Sequence, residues 1–162
     1  MLETSKDAFW LVEAATGRLL DVNATALRMT GYTREELLSR RVSDIDVDLD
    51  QGGYAEKTER VTEAGGAVFE ARHVRQDGTI IDVEVSTVPD AQTGTMVSFI
   101  RDITARKAAE KAIRELNTEL EQRVEARTAD LVQRSRELRD SEERFRLAME
   151  ATSDGLWDWN LV

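Results

Sequence analysis

The 162-residue sequence predicts an α+β fold: a five-stranded antiparallel sheet with short helices on one face, followed by a long C-terminal coiled-coil helix. Three observations carry this. Short β-suited runs separated by Gly turns fill the first hundred residues. Eight of the nine glycines and the single proline, Pro89, lie before residue 95. From Thr104 the pattern then changes to roughly 45 residues with neither Gly nor Pro and one narrow apolar stripe.

In chain order, Ala8 to Glu13 and Arg18 to Asn23 flank the turn at Thr16-Gly17 and read as a hairpin. Asn23 is placed to cap a short helix, Ala24 to Met29, which Gly31 stops. Thr33-Arg34-Glu35-Glu36 is a capping box opening a second short helix with Leu37 and Leu38. A third helix is predicted around Tyr54 to Ala64, closed by Gly65-Gly66. Three strands follow: Val68 to Arg75, the period-two run Ile81-Val83-Val85-Thr87 after the turn at Asp77-Gly78, and Met96 to Ile103. Two strands, several helices and three consecutive strands give the α+β sheet.

Beyond Thr104, Ile113, Leu116, Leu120, Val124, Leu131, Leu138 and Phe145 recur at intervals of three, four or seven. That spacing is a dimer seam, with a stutter at 116–120–124 that locally unwinds a supercoil. A single helix of that length, on the order of 70 Å at ~1.5 Å per residue, is marginal in water with one thin stripe. The expectation is a parallel homodimer.

Charge sorts the same way. The net charge is −10, yet Thr104 to Glu150 holds eleven basic and eleven acidic residues, so the whole imbalance sits in the remainder. An acidic globular part repels nucleic acid and anionic lipid, and neither is expected as a partner. No apolar run approaches the ~20 residues of a membrane span, and the N-terminus lacks a signal-peptide core. The expected location is the cytoplasm, with no direct membrane contact from these residues.

Several motifs together resemble the PAS domain family. They are Gly17-Arg-Leu-Leu-Asp-Val-Asn23, Met29-Thr-Gly-Tyr-Thr-Arg-Glu-Glu-Leu37, Asp77-Gly-Thr79 and Asp102-Ile-Thr104. Leu116 to Leu131 resembles the connecting helices of bacterial sensor histidine kinases, and Ser141 to Trp159 is similar to the start of a second PAS domain. The resemblance implies a sensor domain over 1–104, a signalling helix over 105–150 and a truncated second PAS domain over 151–162. It also implies that Asp102, Ile103 and Thr104 form the junction where sheet movement enters the helix, with Thr104 able to cap it. The implied partner is a downstream output domain of the same chain, a histidine kinase by the linker's wording. A passive dimerisation and relay module, or the sensor of a cyclic-dinucleotide cyclase, remains the alternative.

Chemistry narrows this further. With no cysteine, disulfides, thiolate metal sites and cysteinyl-flavin photochemistry are excluded. A small-molecule ligand or a non-covalent flavin stays compatible, although no residue requires one. Haem is disfavoured, because the only histidine, His73, falls on a strand while the helix before it has none. Asp44 to Asp50 lacks the Gly and the bidentate Glu of a calcium loop in either register and reads as a solvated acidic loop with its aliphatic residues tucked under. No metal site and no catalytic constellation is found, so the chain is not expected to be an enzyme. Candidate linings of a pocket between sheet and helices are Phe9, Leu11, Asn23, Tyr32, Phe69, His73, Val85, Thr87, Phe99 and Arg101. Ordinary core packing is the alternative for most of them, and a small anionic metabolite meeting Arg101 or His73 is the sharper reading.

Overall fold

The computed structural model describes residues 5–155. Five antiparallel strands form one sheet: β1 (Ala8–Glu13), β2 (Leu19–Val22), β3 (Ala67–Val74), β4 (Ile80–Asp90) and β5 (Thr95–Asp102), in the order β2-β1-β5-β4-β3. Helices α1 (Ala24–Thr30), α2 (Arg34–Leu38) and α3 (Gln51–Ala64) lie between β2 and β3, and α4 (Thr104–Gly155) follows β5.

Local chemistry sets the boundaries. The Asn23 side chain accepts from the Ala26 N–H and also from Phe9 N–H, so one amide both caps α1 and ties it to β1. Thr33 and Glu36 form the reciprocal capping box of α2. Asp50 caps α3 by accepting from Gly53 N–H at 2.7 Å, and α3 therefore starts three residues before the expected Tyr54. At Gly17 the backbone is left-handed (φ 73°), and a β-carbon there would sit 3.1 Å from the Tyr54 ring. Only Gly serves both the turn and that close approach.

The core lies between the sheet and the first three helices. Leu19, Leu37, Ile45, Val83 and Ile100 are almost wholly buried. On β1 the inward side chains are Trp10 and Val12, which are 2% exposed. Phe9 and Leu11 point the other way, Phe9 pairing with Phe99 on the outer face at a ring separation of 5.8 Å. The stretch from Asp44 to Asp50 tucks the aliphatic Ile45 under as expected but departs from the expected solvated acidic loop at Asp46. Val47 N–H donates to Arg72 O and Val74 N–H to Ile45 O, so the segment covers the open edge of β3, with Ile45 fully buried and Asp46 only 5% exposed.

The sheet, the first three helices and the first turns of α4 make one compact unit, through Glu110; residues from 111 onward form a second. In that second unit the residues of the apolar stripe stay exposed along the chain, from Leu120 at 55% to Phe145 at 68%. Val132, Leu147 and Met149, not named in the stripe, are exposed apolar residues as well. Intrahelical pairs such as Arg123–Glu119 and Arg134–Asp130 line its other faces. The expected second-domain start falls on the end of α4 and on residues 156–162, which lie outside the described residues. No described helix is long and apolar enough to cross a membrane.

Candidate functional site

A cavity of about 60 Å³ lies between the inner face of the sheet and α3. Four sequence-predicted linings come together there: Phe69 and His73 from β3, Val85 and Thr87 from β4. The others do not. Phe9, Leu11, Phe99 and Arg101 belong to the opposite phase of their strands, and Arg101 is held outside by ion pairs to Asp7 and Glu84. Asn23 is spent on its cap, and Tyr32 is core packed under Arg40 at 4.4 Å. The reason is register: in Ala-Phe-Trp-Leu-Val-Glu both phases are apolar, so alternation alone does not choose a face.

The walls not expected from the sequence are Trp10, Val12, Met96 and Ser98 from the sheet, Val42, Asp46 and Leu49 from the segment before α3, and Tyr54, Lys57, Thr58 and Val61 from α3. Ser98 was the legible clue. It lies across from Thr87 in the β4–β5 ladder and donates to its hydroxyl at 2.8 Å, which places the Met96-Ser98-Ile100 phase inward.

His73 is the most perturbed titratable group. It is 2% exposed and stacks flat on Trp10, centroids 5.0 Å apart at 7°. Burial, helped by the Lys57 charge, lowers its pKa to about 4, so the ring is neutral near pH 7. The His73 Nδ1 and Trp10 Nε1 atoms are buried without a hydrogen-bond partner among the described residues. Lys57 makes no ion pair among the described residues; its Nζ lies 3.6 Å from the centre of the Phe69 ring, and burial lowers its pKa. Asp46 is pushed the other way: burial raises its pKa, against the Asp48 N–H that it accepts at 3.0 Å. The described residues contain no group of acids and histidines able to hold a metal.

The second feature is the junction after β5. Asp102 accepts the Thr104 N–H at 2.9 Å and pairs with Arg75 at 2.9 Å. Burial would raise its pKa, but these two partners outweigh it and hold the carboxyl below its usual range. The Thr104 hydroxyl does not cap the helix as expected. It accepts from Asp82 N–H at 3.0 Å and so clamps α4 to β4, while Asp102 takes the capping role. Lys107 reaches Glu70 at 2.7 Å and Asp82 at 3.0 Å, and Ile103 is buried at 4%. The first turn of α4 is thus fastened to strands β3 and β4, the same two strands that carry Phe69, His73, Val85 and Thr87 into the cavity.

Comparison with known proteins places this geometry. A family model described as PAS domain matches residues 6–105. A methyl sulfide methyltransferase-associated sensor of Methanosarcina acetivorans is 30% identical over 123 residues, 75% of this chain and 12% of that protein. Two-component system protein A of Emericella nidulans is 30% identical over 115 residues, 68% of this chain and 17% of that protein. This chain therefore spans a small part of the curated relatives it matches. Among solved structures, a domain of a sensory box sensor histidine kinase/response regulator from Geobacter sulfurreducens superposes with a TM-score of 0.56 at 25% identity, covering 62% of this chain and 86% of that one. A PAS domain from a two-component sensor histidine kinase superposes at 0.53 with 29% identity, covering 62% and 88%. With the sheet order, the helices on one face and the family match over most of the chain, this protein belongs to the PAS domain family.

Proposed function

We propose that this chain is the sensing and relay part of a two-component signalling protein, in which two copies share the helix from Lys111 onward and pass the state of the sheet to an output domain, a histidine kinase. The observation that carries the reading is the junction. Asp102, Thr104 and Lys107 tie the first turn of α4 to β3 and β4, so a change in cavity occupancy and a change in helix seating act on the same strands. The named relatives, a sensor and a two-component protein, support the output class. The exposed stripe of α4 supports the shared helix, because apolar side chains at heptad spacing gain by burial against a second copy.

The absence of cysteine makes a clean test. Leu138→Cys in a parallel homodimer meets its own counterpart and closes an intermolecular disulfide under mild oxidation, whereas Gln122→Cys, on the opposite side of the helix, does not. Equal cross-linking of both, or of neither, counts against the shared parallel helix. A passive relay without ligand differs in one respect: its cavity would bind nothing.

A further inference from the structure

Around the cavity, Trp10 Nε1 is a donor only and buried without a partner, Lys57 makes no ion pair among the described residues although the charges of Asp46 and Asp48 act on it, and His73 Nδ1 is buried without a partner, donor or acceptor according to its tautomer. The one acidic wall group, Asp46, already accepts the Asp48 N–H. The apolar remainder is supplied by Val12, Val85 and Met96. The free space of about 60 Å³ suits a compact occupant.

We propose that this cavity is a site for a small aliphatic carboxylate of acetate to propionate size, its oxygens taken by Lys57 and the Trp10 indole N–H and its alkyl end set against Val85 and Met96. The assignment rests on the sensor reading above and narrows it to a ligand class. It also moves the anion-binding role from Arg101, which lies on the outer face, to Lys57. The carboxylate supplies acceptors where the protein has left donors unanswered, and a buried donor without a partner is costly. Lys57 sits on α3, of whose described residues only Val61 is buried, so the helix that closes the site is also the one held by least packing.

The test is a titration of the ¹⁵N-labelled chain at constant ionic strength, following the Trp10 indole N–H resonance, identified among the three tryptophans by Trp10→Phe. Propionate should shift that resonance saturably and bind at least about tenfold more tightly than propionamide, the margin of one charge-assisted hydrogen bond. Lys57→Met should weaken propionate about tenfold or more, and Asp46→Asn, which keeps an acceptor for Asp48 N–H but removes the opposing charge, should tighten it. Opposite responses of two variants on one wall are not what loss of folding produces. Equal affinity for propionamide, or indifference to Lys57→Met, would overturn the carboxylate while leaving a ligand-binding cavity. Glycine binding more tightly than acetate would also overturn it, by bringing Asp46 into use as a partner for an ammonium. A Trp10 resonance unmoved by all of these compounds would remove the cavity as a sensing site altogether.

Discussion

His73 shows how much one residue depends on where the strand puts it. On an outer strand position it would titrate in the ordinary range; stacked on Trp10 and sealed under α3, its pKa falls to about 4. The unfolded chain binds its proton near the ordinary value of about 6.5, so between those two pH values the unfolded state holds more protons than the folded one. Stability therefore rises with pH across that window and is lost as pH falls through it, by on the order of 3 kcal/mol for a shift of this size. His73→Phe keeps a flat ring against Trp10 and does not titrate. Denaturant unfolding from pH 7 to pH 4 should show a shallower pH dependence for the variant than for the parent, and parallel curves would contradict the buried neutral imidazole. Residue identity was legible in the sequence here and environment was not. A lone histidine on a strand was legible, but its stacking partner was not: Phe9 and Leu11 were the expected linings where Trp10 and Val12 face inward, because Phe9 and Trp10 are equally at home in a core. Asp46 was misplaced for a related reason: nothing local separates an aspartate in a solvated loop from one drawn inward by backbone pairing to β3.

At the scale of elements, the turns and caps were the most legible features, since each is a short-range bargain between a side chain and nearby backbone amides. Asn23, the Thr33–Glu36 box and the glycine stops all act as their types predict. Gly17→Ala meets both a left-handed backbone and the Tyr54 ring, whereas Gly94→Ala meets the backbone cost alone, with no atom within 4 Å of the new carbon. Thermal unfolding should show the first substitution costing about 1 kcal/mol more than the second; equal melting points would mean that α3 yields freely. The role of Thr104 was only half legible. A threonine at a helix start suggests a cap, but its hydroxyl faces β4, and that contact spans 22 residues of sequence. Thr104→Val should cost about 1 kcal/mol by leaving Asp82 N–H without its acceptor, while Thr104→Ser should restore most of it. Asp102→Ala removes the cap and the Arg75 pair together. Joined to the proposed output domain, the variant should leave the sheet domain folded, by circular dichroism, and uncouple the output from its stimulus; a normal response would set the junction aside.

At the scale of the whole molecule, the chain divides by its chemistry. The acidic, turn-rich part makes a sheet domain that satisfies itself, burying Leu19, Leu37, Ile45 and Ile100 and covering the open edge of β3 with its own segment. The neutral, turn-free part does not satisfy itself. Its ion pairs are surface pairs, worth about 0–1 kcal/mol each, and its stripe from Ile113 to Phe145 is left to water in a single copy. The change at Thr104 was plain in the sequence because it needs only composition and period, whereas the cavity needed the sheet's register and the edge segment as well. A charge at the seam is the direct probe, since Leu131→Asp buries an unpaired carboxylate in any shared helix. Sedimentation equilibrium of the chain at micromolar concentration is the measurement that reaches the centre of the account. It predicts a species of twice 18.3 kDa for the parent chain and a single copy for Leu131→Asp. A parent chain that sediments as one copy, or a variant that remains paired, would contradict it.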